Sequence, residues 1–163
     1  MDIEIRQAGE EDIPVLYGLY EALGKKDEGY FEACFEKECL ILMASLEEQN
    51  IGFGILNFDP KYSFYKKLNI PEIQDLNVLS DYRSQGVGTK IIEHFENIVR
   101  DKDVKQIGIS VGLTKDYGPA QRLYVRMGYI PDGYGVTYDR EAVTAGVSYP
   151  VDEDLALMMV KNL

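Results

Sequence analysis

The segment that most restricts the fold runs from residue 73 to about residue 100. Ile73–Leu79 reads as a short strand. It leads through a polar link into Arg83-Ser84-Gln85-Gly86-Val87-Gly88, and beyond that turn the periodicity becomes helical. Ile91, Ile92, Phe95, Ile98 and Val99 fall on one side of this helix, and Glu93, Glu96 and Asn97 are expected to point outward. A strand-to-helix turn presents several backbone N–H groups at the positive end of the helix, an arrangement suited to a phosphate or pyrophosphate. Gly86 and Gly88 lack a Cβ, so a bulky anion can approach the main chain and left-handed dihedrals cost little. The same residues also suit an ordinary structural turn, and the segments around them decide between the two readings.

Upstream, Ile3 and Ile5 alternate with polar residues through about Ala8, which predicts a first strand. Gly9-Glu10-Glu11-Asp12 supplies an acidic helix start, with Pro14 in the first turn. Ile13, Leu16, Tyr17, Tyr20 and Leu23 recur at helical spacing, and Gly24 ends the run. A second short helix is expected over about Tyr30 to Glu36. Leu40 to Leu46 and Ile51 to Phe58 follow as an antiparallel pair joined by Glu47-Glu48-Gln49-Asn50. Asp59 to Pro71 is rich in aromatics without clean periodicity and reads as a loop.

Downstream, Gln106 to Val111 predicts a strand and Pro119 to Met127 a helix stopped by Gly128. Tyr129-Ile130 resumes an extended chain, with strands near Gly135 to Tyr138 and Leu155 to Val160. The order predicts a mixed α/β fold: a central, mostly antiparallel sheet of about seven strands flanked by about four helices, with helical crossovers in its middle. At 163 residues the chain can bury one full core, so a single domain over 1–163 is expected.

Charge and composition exclude several roles. A net charge of −11, with 17 basic residues scattered along the chain, gives no stripe for nucleic-acid phosphates. An acidic surface favours a cationic partner at long range and equally serves solubility. Cys34 and Cys39 have no second pair to complete a zinc site, so no metal is expected and the thiols read as structural. The start Met1-Asp2-Ile3-Glu4 lacks a secretion pattern and no apolar run reaches membrane-spanning length; the expectation is a cytoplasmic protein with no membrane partner. His94, the only histidine, falls on the flank of the helix after the glycine turn and reads as solvated.

Two familiar glycine signatures fail on particular residues. A P-loop needs Gly-Lys followed by Ser or Thr, whereas Gly88-Thr89-Lys90 reverses that order. A dinucleotide fingerprint needs a third glycine where Ile91 stands. What remains is Arg-x-x-Gly-x-Gly between a strand and an amphipathic helix, which resembles the CoA-binding motif of the GNAT N-acetyltransferase superfamily. Gly118-Pro119-Ala120-Gln121-Arg122-Leu123-Tyr124-Val125-Arg126-Met127-Gly128-Tyr129 is similar to that family's second signature, Ala-x-x-Leu-Tyr before Gly and an aromatic. The resemblance covers nearly the whole chain. One departure is that Tyr117, Gly118 and Pro119 stand where the family often has Asn before this helix.

The resemblance implies a GNAT-like sheet whose fourth and fifth strands splay apart around the pantetheine arm of acetyl-CoA. The main chain of Leu76, Val78 and Leu79 would pair with that arm as an added strand does. Arg83, Ser84, Gln85, Gly86, Val87, Gly88 and Thr89 would hold the pyrophosphate, with Ala120 near the cofactor; Lys90 suits a phosphate or is simply exposed. An acceptor amine would attack the thioester directly, with an N–H near Val78 stabilising the oxyanion and Tyr124 protonating the departing thiolate. Tyr124 alternatively packs its ring on the sheet. For the base, Glu72 precedes Arg83 by eleven positions, where some family members place a catalytic Glu; Asp75 is its rival, and a surface carboxylate is the third reading.

The expected activity is acetyl-CoA-dependent N-acetylation of a primary amine on a small molecule or peptide. The acceptor pocket is expected from the first helix, the Gly24 to Tyr30 connection, the Asp59 to Pro71 loop and the Tyr138 to Val151 loop. There Asp27, Glu28, Tyr62, Tyr65, Tyr138 and Tyr149 suit a cation. A non-catalytic acyl-CoA-binding module and an acyltransferase with another acyl chain or acceptor stay open. So does a homodimer through a C-terminal edge strand carrying Met158, Met159 and Val160.

Overall fold

The strand and helix signatures are realised as β1 (Ile3–Gln7), α1 (Ile13–Ala22), α2 (Tyr30–Glu36), β2 (Cys39–Leu46), β3 (Gln49–Asn57), α3 (Ser63–Leu68), β4 (Glu72–Val78), α4 (Val87–Asp101), β5 (Gln106–Gly112), α5 (Gly118–Arg126), β6 (Ile130–Tyr138), β7 (Glu141–Ala142) and β8 (Leu155–Asn162). The structure is a computed structural model and describes residues 2–163. The eight strands are those of a mixed sheet, and they fall into two compact units of the chain.

The first unit comprises the chain up to Phe58 together with Ile73–Ile98, with strand order β1-β2-β3-β4. β2 pairs antiparallel with both β1 and β3. The β2–β3 connection is tighter than expected: Glu47 (φ 49°) and Glu48 (φ 67°) are both left-handed, and β3 starts at Gln49. Two left-handed central residues match the right-handed twist of a hairpin, so a two-residue turn replaces the predicted four-residue link. Leu16, Tyr20 and Phe31 from α1 and α2 pack with Met43, Phe53 and Ile55 of the hairpin. Burying each such side chain contributes about 1.5–3 kcal/mol. α4 covers Gly54, where an added Cβ would stand 3.0 Å from Phe95 and 3.1 Å from Ile91, so any side chain here would require those neighbours to give by a few tenths of an ångström. The expected outward face of α4 holds at Glu93 and Asn97 but not at Glu96, which is buried. It lies one turn beyond Ile92 on the flank of the apolar stripe, and the buried face is wide enough to take it in.

The second unit comprises Asp59–Glu72 and Val99–Leu163, with strand order β5-β8-β6-β7. β8 pairs antiparallel with both β5 and β6, so the C-terminal strand is interior to this unit and not the edge that the sequence suggested. Met158 and Met159 are accordingly buried. The predicted loop over Asp59 to Pro71 contains α3, closed by Asn69 in the left-handed region (φ 54°). Six residues are too few for a readable period, and burial of Tyr65 holds the helix instead. The Tyr65 hydroxyl donates to the Met159 carbonyl, and its ring lies where a Cβ on Gly108 would come within 2.4 Å. β6 is longer than expected; its pairing with β8 shifts register between Pro131 and Val136, with Gly133 and Gly135 at positive φ. A second two-residue turn, Asp139 (φ 48°) and Arg140 (φ 62°), adds β7. α3 and β7 account for the helix and the strand beyond the expected counts.

Candidate active site

In the first unit, β4 ends at Val78, and a single tight turn at Ser80–Tyr82 carries the chain to Arg83, which is extended. Ser84 (φ 60°) and Gly86 (φ 86°) then take left-handed conformations, and α4 starts at Val87. The Lys90 N–H donates to the Gly86 carbonyl at 3.0 Å. The amides of Val87, Gly88 and Thr89 thus belong to the first helical turn, ahead of the hydrogen-bond ladder. No heavy atom lies within 4 Å of where a Cβ on Gly86 would be, so the glycine answers to its dihedral and leaves the space above the turn open. Buried Val87 pins the turn to the core. Arg83 Nε donates to the Val78 carbonyl (3.0 Å) and Gln85 Nε2 to the Asp81 carbonyl (3.1 Å), bracing the approach. An anion fits here, against outward-facing amides at a positive helix end. His94 is exposed on the same helix, with Nδ1 2.9 Å from the Lys90 carbonyl oxygen, as expected of a helix-edge residue.

β4 carries an irregularity that the sequence does not display. Asp75, in mid-strand, has φ 48°. Its carbonyl accepts from Asn77 Nδ2 at 3.0 Å, and its Oδ1 accepts from the same amide and, at 2.9 Å, from Lys25 Nζ. The other oxygen, Oδ2, is buried with no hydrogen-bond partner among the described residues. Tyr20 and Tyr30 stack at 5.4 Å between ring centroids. Both hydroxyls are pushed above their ordinary pKa, first by burial and then by the Asp75 charge. Of the three backbones expected to meet a pantetheine arm, Leu79 is engaged at both ends: its N–H donates to the Ile51 carbonyl (2.8 Å) and its carbonyl accepts from the Tyr82 N–H (2.9 Å).

A cavity of about 640 Å³ opens between Tyr17, Tyr20 and Glu21 of α1, residues 25–29 of the connection, and Glu32 of α2. Its wall combines tyrosine rings with the carboxylates of Glu21, Asp27, Glu28 and Glu32, the chemistry of a cation site. Residues of α1 and of the Gly24 to Tyr30 connection, both expected in the acceptor pocket, line it.

In the second unit, Tyr124 is buried on α5 and its hydroxyl is pushed up to about 12, by burial first and by Tyr117 second. It therefore stays protonated at neutral pH. Gln121 Nε2 donates to the Gly112 carbonyl at 2.9 Å, tying α5 to the end of β5, and Ala120 is half-buried one residue before. Glu72 is fully buried, with both carboxylate oxygens 3.3 Å from Arg140 Nε; Arg140 Nη2 also reaches Ser110 Oγ at 3.4 Å. Both oxygens of this carboxylate are thus engaged by Arg140. Tyr62 and Tyr65, expected in the acceptor pocket, are also buried, and Tyr62 donates its hydroxyl proton toward Asp132. Tyr138 and Tyr149 do line a smaller cavity of about 350 Å³ with Asp139, Glu141 and Ala142. Among the described residues no group of three or more His, Cys, Asp or Glu is placed to hold a metal, and no helix is long and apolar enough to cross a membrane.

Sequence reasoning missed Lys25 and Arg140. Each reaches a carboxylate 50 or 68 residues away, and no local pattern encodes such a pairing.

Residues 7–129 match the family model described as the acetyltransferase (GNAT) family. Thialysine N-epsilon-acetyltransferase of Bos taurus is 36% identical over 90 residues, which are 52% of this chain and 51% of that protein; the match spans about half the length of that relative. The ribosomal-protein-S18-alanine N-acetyltransferase from Escherichia coli superimposes with a TM-score of 0.73 at 17% identity, covering 99% of this chain and 94% of that one. A GNAT family acetyltransferase from Elizabethkingia anophelis, with acetyl-CoA bound, gives 0.70 at 15% identity, covering 99% and 98%. At such identities the structural likeness establishes the fold.

Proposed function

The chain belongs to the acetyltransferase (GNAT) family, and from that premise we propose that it transfers the acetyl group of acetyl-CoA to the nitrogen of a primary amine on a small molecule or peptide. One observation carries the reading: the left-handed, open turn at Gly86, followed by the free first-turn amides of α4. Residues 83–89 hold the pyrophosphate, Ala120 lies against the cofactor, and the main chain of Leu76 and Val78 pairs with the pantetheine arm. Leu79 drops out of that set, because its amide and carbonyl are already bonded within the chain.

In the reaction the amine nitrogen forms a bond to the thioester carbon, the Val78 N–H stabilises the oxyanion, and the C–S bond breaks as the oxyanion collapses. Tyr124, protonated at neutral pH, donates to the departing sulfur. A phenol raised to about 12 gives a stronger base than a thiolate, so it is better suited to stabilising the sulfur by a hydrogen bond than to surrendering its proton outright. The first proton lost by the acceptor ammonium goes to Asp75, whose buried Oδ2 has no hydrogen-bond partner among the described residues, while Glu72 is engaged by Arg140. The second N–H proton, lost as the amide forms, ends on the departing sulfur, so CoA leaves as the thiol.

Thiol release from acetyl-CoA in the presence of a panel of primary amines tests the assignment. Amine-dependent CoA release, abolished when the amines are replaced by the matching alcohols, is the expected result. Tight acetyl-CoA binding without transfer to any amine would instead favour the non-catalytic binding module.

A further inference from the structure

Lys25 contributes a primary alkylammonium on a flexible unbranched stem, the same chemical group that the proposed reaction requires of its acceptor. Its Nζ lies 2.9 Å from Asp75 Oδ1 and 5.5 Å from the centroid of the Tyr20 ring, within the range of a cation–π contact. Carboxylate and aromatic face together form a seat for one ammonium, set beside the cavity of about 640 Å³, and the Asn77 amide donates to the carboxylate and braces it.

The pair shares with Glu72 and Arg140 (0% and 30% exposed) a part-exposed cation outside any helix or strand over a largely buried carboxylate, and differs from it in the unpartnered oxygen of that carboxylate. The lysine side chain is 38% exposed whereas that of Asp75 is 13% exposed, so the cation reaches inward from the cavity wall. Lys25 belongs to the irregular connection between α1 and α2, bracketed by Gly24 (φ 74°) and Gly29 (φ 76°), and not to a helix or strand that would hold its stem. Asp75 Oδ2 remains buried with no partner in hydrogen-bonding geometry among the described residues even with Lys25 in place, its polar neighbours being the Tyr20 and Tyr30 hydroxyls. Buried acceptors are normally satisfied, and an open one beside a cavity marks a place for a ligand donor.

We propose that the seat formed by Asp75 and Tyr20 binds the terminal ammonium of the acceptor, and that Lys25 is a resident occupant that the acceptor must displace. The proposal rests on the amine-acetylation reading above and deepens it. It defines the acceptor as an unbranched primary alkylamine of lysine-like reach entering through the α1–α2 cavity, with its ammonium able to donate to both Asp75 oxygens. Lys25 then acts as an intramolecular competitor. If it occupies the seat in about nine molecules of ten, the apparent affinity for the acceptor is lowered about tenfold.

n-Pentylamine is the probe, with 1-pentanol as the uncharged control. In the protein labelled with ¹³C,¹⁵N-lysine, the Lys25 side-chain signal, assigned by its loss in Lys25→Met, is expected to move toward the position of a free lysine as pentylamine is added and to stay fixed with pentanol. With acetyl-CoA saturating, Lys25→Met is expected to lower the KM for pentylamine about tenfold. Pentylamine acetylation without displacement of the Lys25 signal, or a KM that is unchanged or higher in Lys25→Met, overturns the seat. Displacement without acetyl transfer supports the seat and overturns the activity on which the acceptor role was built, so the two failures are separable.

Discussion

Replacing Arg140 by Met should destabilise the protein by about 3 kcal/mol, because Glu72 is fully buried and would keep its charge without the guanidinium beside it. Breaking a buried ion pair from one side costs about 3–5 kcal/mol. The lower end applies here because the Arg140 side chain is 30% exposed and both contacts to Glu72 are long, at 3.3 Å. For 163 residues the entropy of unfolding is about 0.34 kcal/mol/K, from about 2.1 cal/mol/K per residue, so the loss corresponds to a fall in Tm of about 9 °C. Urea unfolding of the wild type, Arg140→Met, Glu72→Gln and the double variant measures it as a cycle. The double variant should be more stable than Arg140→Met alone, since a neutral amide removes a buried charge that has lost its guanidinium. In Arg140→Met the Glu72 carboxylate favours its neutral form, so part of the lost stability should return as the pH falls from 7 toward 4. Glu72→Gln should retain most of its acetyl-transfer activity. A loss below about 1 kcal/mol, strict additivity in the cycle, or a Glu72→Gln enzyme slowed 10²-fold or more would each refute the assignment of Glu72 to the fold.

Gly86→Val places a β-branched residue at φ 86° in otherwise open space. It should weaken acetyl-CoA binding at least tenfold by calorimetry while the fold persists; unchanged affinity would contradict the anion-binding role of the turn. Tyr124→Phe should lower kcat about 10²-fold. Because Tyr124 loses its proton only near pH 12, the wild-type pH–rate profile should show no descending limb from it below pH 11, and a limb near pH 9 that vanishes in Tyr124→Phe would refute this. Asp12 is held down to about 2, chiefly by its hydrogen bonds from Arg6, so its stabilisation is present above about pH 4 and is lost as the pH falls through 2. The Arg6 side chain is half-exposed, which reduces the contribution to about 1 kcal/mol; Asp12→Asn should show that deficit at pH 7 and only a small part of it at pH 2 in chemical denaturation.

What could be foreseen in the sequence follows the distance over which each feature is encoded. The glycine turn is local, because the dihedral of Gly86 and the N-terminal amides of α4 depend on neighbouring residues, and α2 formed over the predicted residues because one apolar face and a glycine entry define it. α3 and β7 escaped because six and two residues carry no period; a buried tyrosine and a left-handed pair at Asp139 and Arg140 make them. The two carboxylates of β4 show the limit most clearly. Glu72 and Asp75 stand three residues apart, both acidic and both strand-borne, and the family resemblance favoured Glu72. Their roles are separated by partners 68 and 50 residues away: a guanidinium that commits Glu72, and an ammonium that leaves one oxygen of Asp75 open. A carboxylate acts as base or anchor only while it has an oxygen to offer. The choice between them therefore lies in the tertiary structure, and the left-handed dihedral that sets Asp75 apart within its own strand appears only there.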